Sequence, residues 1–220
     1  MIKIRIIIPI LIVLIGCNRP SVKLPTLSVP GITDTIYDNS QIWIFFEIKD
    51  GDTTAVLNRK NSISTTNWIF NIDRRLPMKL IAPHINYLTA KREKPSLHFK
   101  DADDYNYFSY VNTTDNLLSL VKFETLYIKT EKPKIQPPPD STKVNIIINQ
   151  AMHQLKVNND IIKVSDFITK LNQLIGSKQA TLYFFFNKNI SYSEYLNTKA
   201  ILQVFNREKV KLHHEEYMYE

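Results

Sequence analysis

Four prolines stand within seven residues, at Pro133, Pro137, Pro138 and Pro139. Neither a helix nor a central strand can pass through them, because each proline fixes φ and removes a backbone donor. The interval 131–143 therefore reads as a linker favouring polyproline II. It divides the chain into an expected first α+β domain at 40–130 and a second at 144–216, with a polar tail at 217–220. Each domain has about 70 to 90 residues, small but large enough to fold alone.

In the second domain Val144, Ile146 and Ile148 alternate with Asn145 and Ile147, the period of a half-buried strand. Leu155 and Val157 make a second strand, and Asn158-Asn159-Asp160 supplies turn residues that tolerate left-handed backbone. Ser165 is placed to cap a helix whose face carries Ile168, Leu171, Leu174 and Ile175, with Gly176 at its end. Leu182 to Phe186 then reads as a buried central strand. Ser191 and Glu194 have the spacing of a capping box, ahead of a helical face of Leu196, Ala200, Ile201, Val204 and Phe205. Val210 and Leu212, alternating with Lys209, Lys211 and His213, form a last strand, short, charged and expected at a sheet edge. The order strand, strand, helix, strand, helix, strand predicts a small α+β sandwich with its helices on one face of the sheet.

At the front of the chain Lys3 and Arg5 precede an apolar run from Ile6 to Ile15. The run is shorter than the roughly 20 residues of a spanning helix and contains Pro9, so it reads as a signal peptide at 1–16. Leu14-Ile15-Gly16-Cys17 resembles the lipobox of bacterial lipoproteins. That resemblance implies cleavage before Cys17, acylation of its thiol and a membrane anchor through lipid; the alternative is an ordinary secretory signal with an incidental cysteine. Asn18, with no acidic run after it, implies an outer-membrane anchor facing the periplasm rather than retention in the inner membrane. Cys17 is the only cysteine, so the exported chain is expected to hold no disulfide. Residues 17–39, with Pro20, Pro25, Pro30 and Gly31, read as an extended tether. Loss of Lys3 and Arg5 lowers the formal charge from +7 to +5, or 26 basic against 21 acidic residues. For an exported chain, lipid headgroups or cell-wall polymer are more fitting counterparts for this charge than nucleic acid.

The second domain's order resembles the periplasmic domain of the ExbD/TolR biopolymer-transport family. After its central strand that family tends to show A-D-x-x-V-x-Y-x-x-V. Here Phe186-Asn187-Lys188-Asn189-Ile190-Ser191-Tyr192-Ser193-Glu194-Tyr195 keeps the spacing, with Ile190 and Tyr192 matching and Phe186, Asn187 and Tyr195 departing. The first domain reads as a degenerate copy, giving two tandem sandwiches. Tyr107 to Thr113 aligns with Tyr192 to Thr198 at four identities in seven, Leu97 and Phe99 fall on Leu182 and Phe184, and Leu126 with Ile128 on Val210 with Leu212. Ile42, Ile44 and Phe46 match Val144, Ile146 and Ile148. The stretch 58–95 stands out as an insertion with Trp68 and the basic Arg74, Arg75 and Lys79, and Pro77 and Pro83 are expected to break any single helix there. It is either a docking surface or an apolar patch covering the sheet; tryptophan is more often core than contact.

Enzyme signatures are missing. Gly31, Gly51 and Gly176 do not make a phosphate loop, and neither G-x-S-x-G nor H-E-x-x-H occurs. Asp101, Asp103 and Asp104 lack the glycine and the bidentate glutamate of a calcium loop. His213, His214, Glu215 and Glu216 read as a polar tail rather than a metal site, since neighbours on a strand face opposite ways. No cofactor or metal is expected. The resemblance implies a non-enzymatic interaction module of the cell envelope, whose partner is an ExbB/TolQ-type motor or its receptor, with peptidoglycan contact or homodimerisation as further expectations. Unlike that family it has no membrane helix bearing an ionisable Asp. The competing reading is a ligand-binding or hydrolytic lipoprotein without a local motif.

Overall fold

The computed structural model describes residues 21–94, 105–124, 126–138, 140–204 and 207–220. The signal segment, Cys17, Leu97, Phe99 and the Asp101–Asp104 cluster lie outside these residues. The fold is α+β, with two six-stranded mixed sheets and, among the described residues, three α-helices. None of those helices is long and apolar enough to cross a membrane.

The first sheet holds β1 (Thr26–Leu27), β2 (Asn39–Lys49), β3 (Asp52–Leu57), β4 (Asn67–Ile72), β5 (Asn106–Asn112) and β6 (Leu117–Phe123), and helix α1 (Met78–Glu93) follows β4. The second holds β7 (Tyr127–Lys129), β8 (Lys143–Ala151), β9 (Gln154–Val157), β10 (Asp160–Ile162), β11 (Gln179–Asn187) and β12 (Val210–Tyr219). Helix α2 (Phe167–Ile175) precedes β11, and α3 (Tyr192–Val204) follows it. Both sheets repeat one path. The run β3-β2-β4-β5 has an antiparallel hairpin and then two parallel steps, and β9-β8-β11-β12 has the same. Left-handed residues make the turns: Asp50 and Gly51 between β2 and β3, His153 between β8 and β9, and Asn158 after β9.

Helices α1 and α3 form a shared middle layer. Tyr192 and Tyr195 of α3 meet Phe108 of β5 edge-on, with centroids 5.9 and 6.3 Å apart. On α1, Asn86 exchanges two hydrogen bonds with the Ile128 backbone (2.8 and 2.9 Å), and the Thr89 hydroxyl donates to the Leu126 carbonyl (2.9 Å). One apolar core consequently runs from Ile42 and Phe70 through Met78 and Tyr195 to Ile148 and Phe186.

The two halves meet at a reciprocal seam just ahead of these helices. The Met78 N–H donates to the Ile190 carbonyl (2.9 Å), the Tyr192 N–H donates to the Leu76 carbonyl (2.8 Å), and Pro77 bridges Ser191. An offset of 114 positions carries 76 to 190, 77 to 191 and 78 to 192 and so turns the first bond into the second, the exchange that a twofold axis produces. The same offset joins two identical turns. The Asp73 side chain accepts from the Arg75 N–H (3.0 Å), and the Asn187 side chain accepts from the Asn189 N–H (2.8 Å).

Several expectations are corrected. The copy does not align Tyr107–Thr113 with Tyr192–Thr198, since the first window is mostly strand β5 and the second is helix α3. The stretch 58–95 is not an insertion: it contains β4 and α1, the counterparts of β11 and α3. Pro77 ends the turn before α1, and Pro83 lies inside the helix, where the carbonyl it leaves without a helical donor is that of Lys79, an exposed residue. Only a short 3-10 turn, Arg59–Asn61, stands where a first helix was expected. Ser165 does not cap α2; its hydroxyl bonds Asp166. Gly176, at φ 54°, does end that helix.

Part of the segment read as a tether is packed on the first sheet. Leu27 is buried, β1 pairs with β5, and Ile32 bridges Leu120. Tyr127–Lys129, read as the end of the first domain, pairs with β12 in the second sheet. The proline-rich linker then crosses the sheet face opposite the helices, with Pro133 and Ile135 half-buried and the Gln136 carbonyl accepting from the Asn145 amide (2.7 Å). The supposed tail is strand, and Tyr217 is buried with its ring 5.0 Å from that of Phe185.

Candidate functional site

The chain leaves β6, passes Glu124 and Leu126, and enters β7 beside β12. Among the described residues β7 pairs only with Glu215–Tyr217, so the first half of β12, Val210 to His214, which joins β11 at Val210–Leu212, opens on its other side. The fork between the departing chain and this open half is a cleft of about 280 Å³. Val121, Phe123, Leu126, Val210 and Leu212 give it apolar walls.

Its floor is ionic. Between Leu212 and Glu216, which pair with Leu182 and Phe184, β12 spends four residues where β11 spends two. The two extra residues keep the same face inward but shift the register, so that Glu216 rather than His214 stands opposite Phe184. Glu216 is 1% exposed, and its two oxygens are both occupied. One accepts from the Lys199 ammonium, and the other accepts from the Tyr195 hydroxyl at 2.7 Å. Lys199 and Tyr195 stand one turn apart on α3, four residues being the spacing that shares a helix face. Burial, reinforced by the Glu216 carboxylate, pushes the Tyr195 phenol far above its usual range, so it stays a donor. The α3 start that aims these residues is fixed by the capping box: the Glu194 N–H donates to the Ser191 hydroxyl (3.2 Å), and the Glu194 carboxylate accepts from the Ser191 N–H (3.0 Å).

Of the residues singled out in the sequence, some line this cleft and others lie elsewhere. Val210 and Leu212 line the cleft, although β12 is an edge over only half its length and both side chains pack on the core. Trp68 is 1% exposed, with the Arg92 guanidinium 3.8 Å over its ring, so it belongs to the core. Arg74 and Arg75 lie past the other end of β4, about 20 Å from Trp68 along extended chain, and form no single patch with it. Ile190 and Tyr192 are fully buried in the seam. The sequence marks Tyr195 only as a departure from the family pattern, leaves Lys199 unmarked and reads Glu216 as part of a tail. The readable signal was the polar Lys199 amid the apolar face of Leu196 and Ala200. Among the described residues no three His, Cys, Asp or Glu side chains converge as a metal site. No known family, curated protein or solved structure matches the chain.

Proposed function

We propose that the chain is a non-enzymatic interaction module of the cell envelope, anchored by lipid at Cys17 and facing the periplasm, that docks a protein partner along the open half of β12. The observation that carries this reading is the fork itself. An extended segment laid beside Val210–His214 would continue the sheet and gain backbone hydrogen bonds without rearranging the core. The first half supports it, because there β6 fills the corresponding place and pairs with seven residues of β5. Kinship with ExbD/TolR-type subunits gains support from a second occurrence of the spacing at Asp73-Arg74-Arg75-Leu76-Pro77-Met78, with the acid in place. The partner we favour is an ExbB/TolQ-type motor complex or its receptor. Because Leu76–Met78 and Ile190–Tyr192 already satisfy one another within the chain, a homodimer would have to use another surface.

A photo-crosslinking residue at Lys211, in intact cells, should yield an adduct with a membrane-complex protein identified by mass spectrometry. The same residue at Asp50, on the far hairpin, should yield none. Equal adducts from both positions, or none from Lys211 in a chain that carries palmitate label, would remove the docking reading.

A further inference from the structure

Around the seam, positions in one half have counterparts in the other, and at the cleft the counterparts differ in kind. Offsetting by 114 residues puts Ile81 at Tyr195 and Ile85 at Lys199. On the strands, Phe70 corresponds to Phe184, and their partners are Phe108 and Glu216. The first half therefore fills this helix-to-sheet contact with Ile81, Ile85 and Phe108, each at most 1% exposed. The second half fills it with a tyrosine, a lysine and a glutamate, also buried. The fold does not need charge here, and a buried ion pair is weak support for stability compared with apolar groups of similar volume. The ionic version is also the one that opens onto a cleft.

We infer that this cleft is a binding site for a carboxylate group, with Lys199 as its anchor. The floor still has hydrogen-bond donors to offer: among the described residues Lys199 has one hydrogen-bond partner, Glu216, for its three N–H groups. Around it the lining carries Lys211, His213 and His214 on β12 and Lys122 and Glu124 on the opposite wall. The Lys122 ammonium sits over the Tyr105 ring at 3.0 Å. Three lysines against two glutamates leave the lining one positive charge in excess with both histidines neutral. At about 280 Å³ the cleft is just under the size of an ordinary small-molecule pocket, enough for an acidic side chain with its own backbone. If the docking reading is right, such a side chain would arrive on the docked strand; the carboxylate site itself does not depend on it.

The test is a titration of the full chain with N-acetyl-glutamyl-amide, N-acetyl-glutaminyl-amide and acetate, followed through the amide resonances of Val210–His214. The glutamyl probe should shift them saturably, and the glutaminyl probe should bind on the order of tenfold more weakly, since a charge-assisted bond is replaced by a neutral one. Acetate as strong as the glutamyl probe would identify a free small acid as the ligand; much weaker acetate would identify a peptide-borne one. The triple variant Tyr195→Ile, Lys199→Ile, Glu216→Phe, which copies the first half, should stay folded and bind none of them. Equal binding of the glutamyl and glutaminyl probes, or undiminished binding to the triple variant, would overturn the site. Unfolding of the triple variant would overturn it too, by showing that the network serves the fold. Adducts from Lys211 alongside a negative titration would leave docking standing and remove only the carboxylate site.

Discussion

Phe108 and Glu216 occupy corresponding places on β5 and β12, and the rings and charges around them show how one topology is used twice to different ends. In the first half Phe108 stacks on Phe123 at 3.9 Å, and β6 seals the outer side of β5 over seven residues. In the second half β7 covers three residues of β12, and Glu216 holds Lys199 and Tyr195 beside the opening. The sealed half is the better packed and the plainer. Sealing and apolar filling go together, as do opening and charge, so the ionic network accompanies access rather than packing. The comparison also isolates what the fold requires. Both halves keep the hairpin, the two parallel steps, the side-chain-capped turn at Asp73 or Asn187, and the buried Leu76 or Ile190 that follows. Only the second has an α-helix between its hairpin and its central strand.

The largest difference between the halves should appear when one residue of each set is changed to methionine. Lys199→Met strands a buried Glu216 carboxylate and should cost about 3–5 kcal/mol. Ile85→Met, at the corresponding place, nearly conserves volume among apolar neighbours and should cost less than about 1.5 kcal/mol. Urea unfolding of the two variants gives the comparison directly. Equal costs would mean that Glu216 finds water or another partner when Lys199 is removed, and that the cleft floor is wetter than its burial implies.

The elements of the second half were largely legible in its sequence because local signals there agree. Alternation in Val144–Ile148, the apolar run at Leu182–Phe186, the Ser191–Glu194 box and the Gly176 stop are all decided within a few residues. The first half was misread because letter identity was trusted over role. Tyr107–Thr113 and Tyr192–Thr198 share four residues but not a secondary structure. The true counterparts, Asp73–Ile81 and Asn187–Tyr195, share no identical residue, yet keep a capping side chain, a cation and a buried aliphatic at fixed offsets. What the proline-rich linker hid was tertiary. Proline cannot continue a central strand, but it can lie across a sheet face, and nothing local to Tyr127–Lys129 says which sheet those residues join. The cleft was invisible for a similar reason: it needs β6, α3 and β12 brought together, and only the placement of Lys199 hinted at it.

A middle-sized difference is expected at the two capped turns. Asp73 is fully buried. Burial alone would raise its carboxyl, but the Arg75 guanidinium and the N–H groups of Lys23 and Arg75 outweigh burial and hold it below its ordinary value of 3.8. A carboxylate whose folded pKa is depressed contributes stability above that ordinary value and loses it as the pH falls through the folded one. Asp73→Ala should cost about 2–3 kcal/mol near neutral pH, because it leaves two backbone donors unmatched and the Arg75 partner is already half in water. Asn187→Ala, which frees one exposed donor, should cost about 1 kcal/mol. Repeating the measurement near pH 3 should shrink the Asp73→Ala cost and leave that of Asn187→Ala unchanged. A pH-independent Asp73→Ala cost would show that the turn geometry matters there and the charge does not.

The smallest difference concerns the two residues on the local axis itself. Ser191 caps α3 through its hydroxyl, with Glu194 returning the bond, whereas Pro77 offers α1 no side-chain cap. Ser191→Ala should therefore cost about 1 kcal/mol, within the range of lost helix caps. It should also loosen the aim of Tyr195 and Lys199, which sit within the next two turns. Pro77→Ser gains a cap of similar size but gives back the restriction that proline imposes on the unfolded chain, which is worth about 0.4–1 kcal/mol. The two terms nearly cancel, so that variant should lie within about 0.5 kcal/mol of the parent. Both substitutions leave the backbone bonds of the seam in place, since these come from Met78, Lys79, Tyr192, Leu76, Lys188 and Ile190. A large loss from Pro77→Ser would show that the ring itself wedges the two halves into register, and the axis would then owe its geometry to the first half alone. A near-zero cost for Ser191→Ala would instead place the start of α3 under the control of the buried Tyr192 and Ile190, with the capping box an accompaniment to packing.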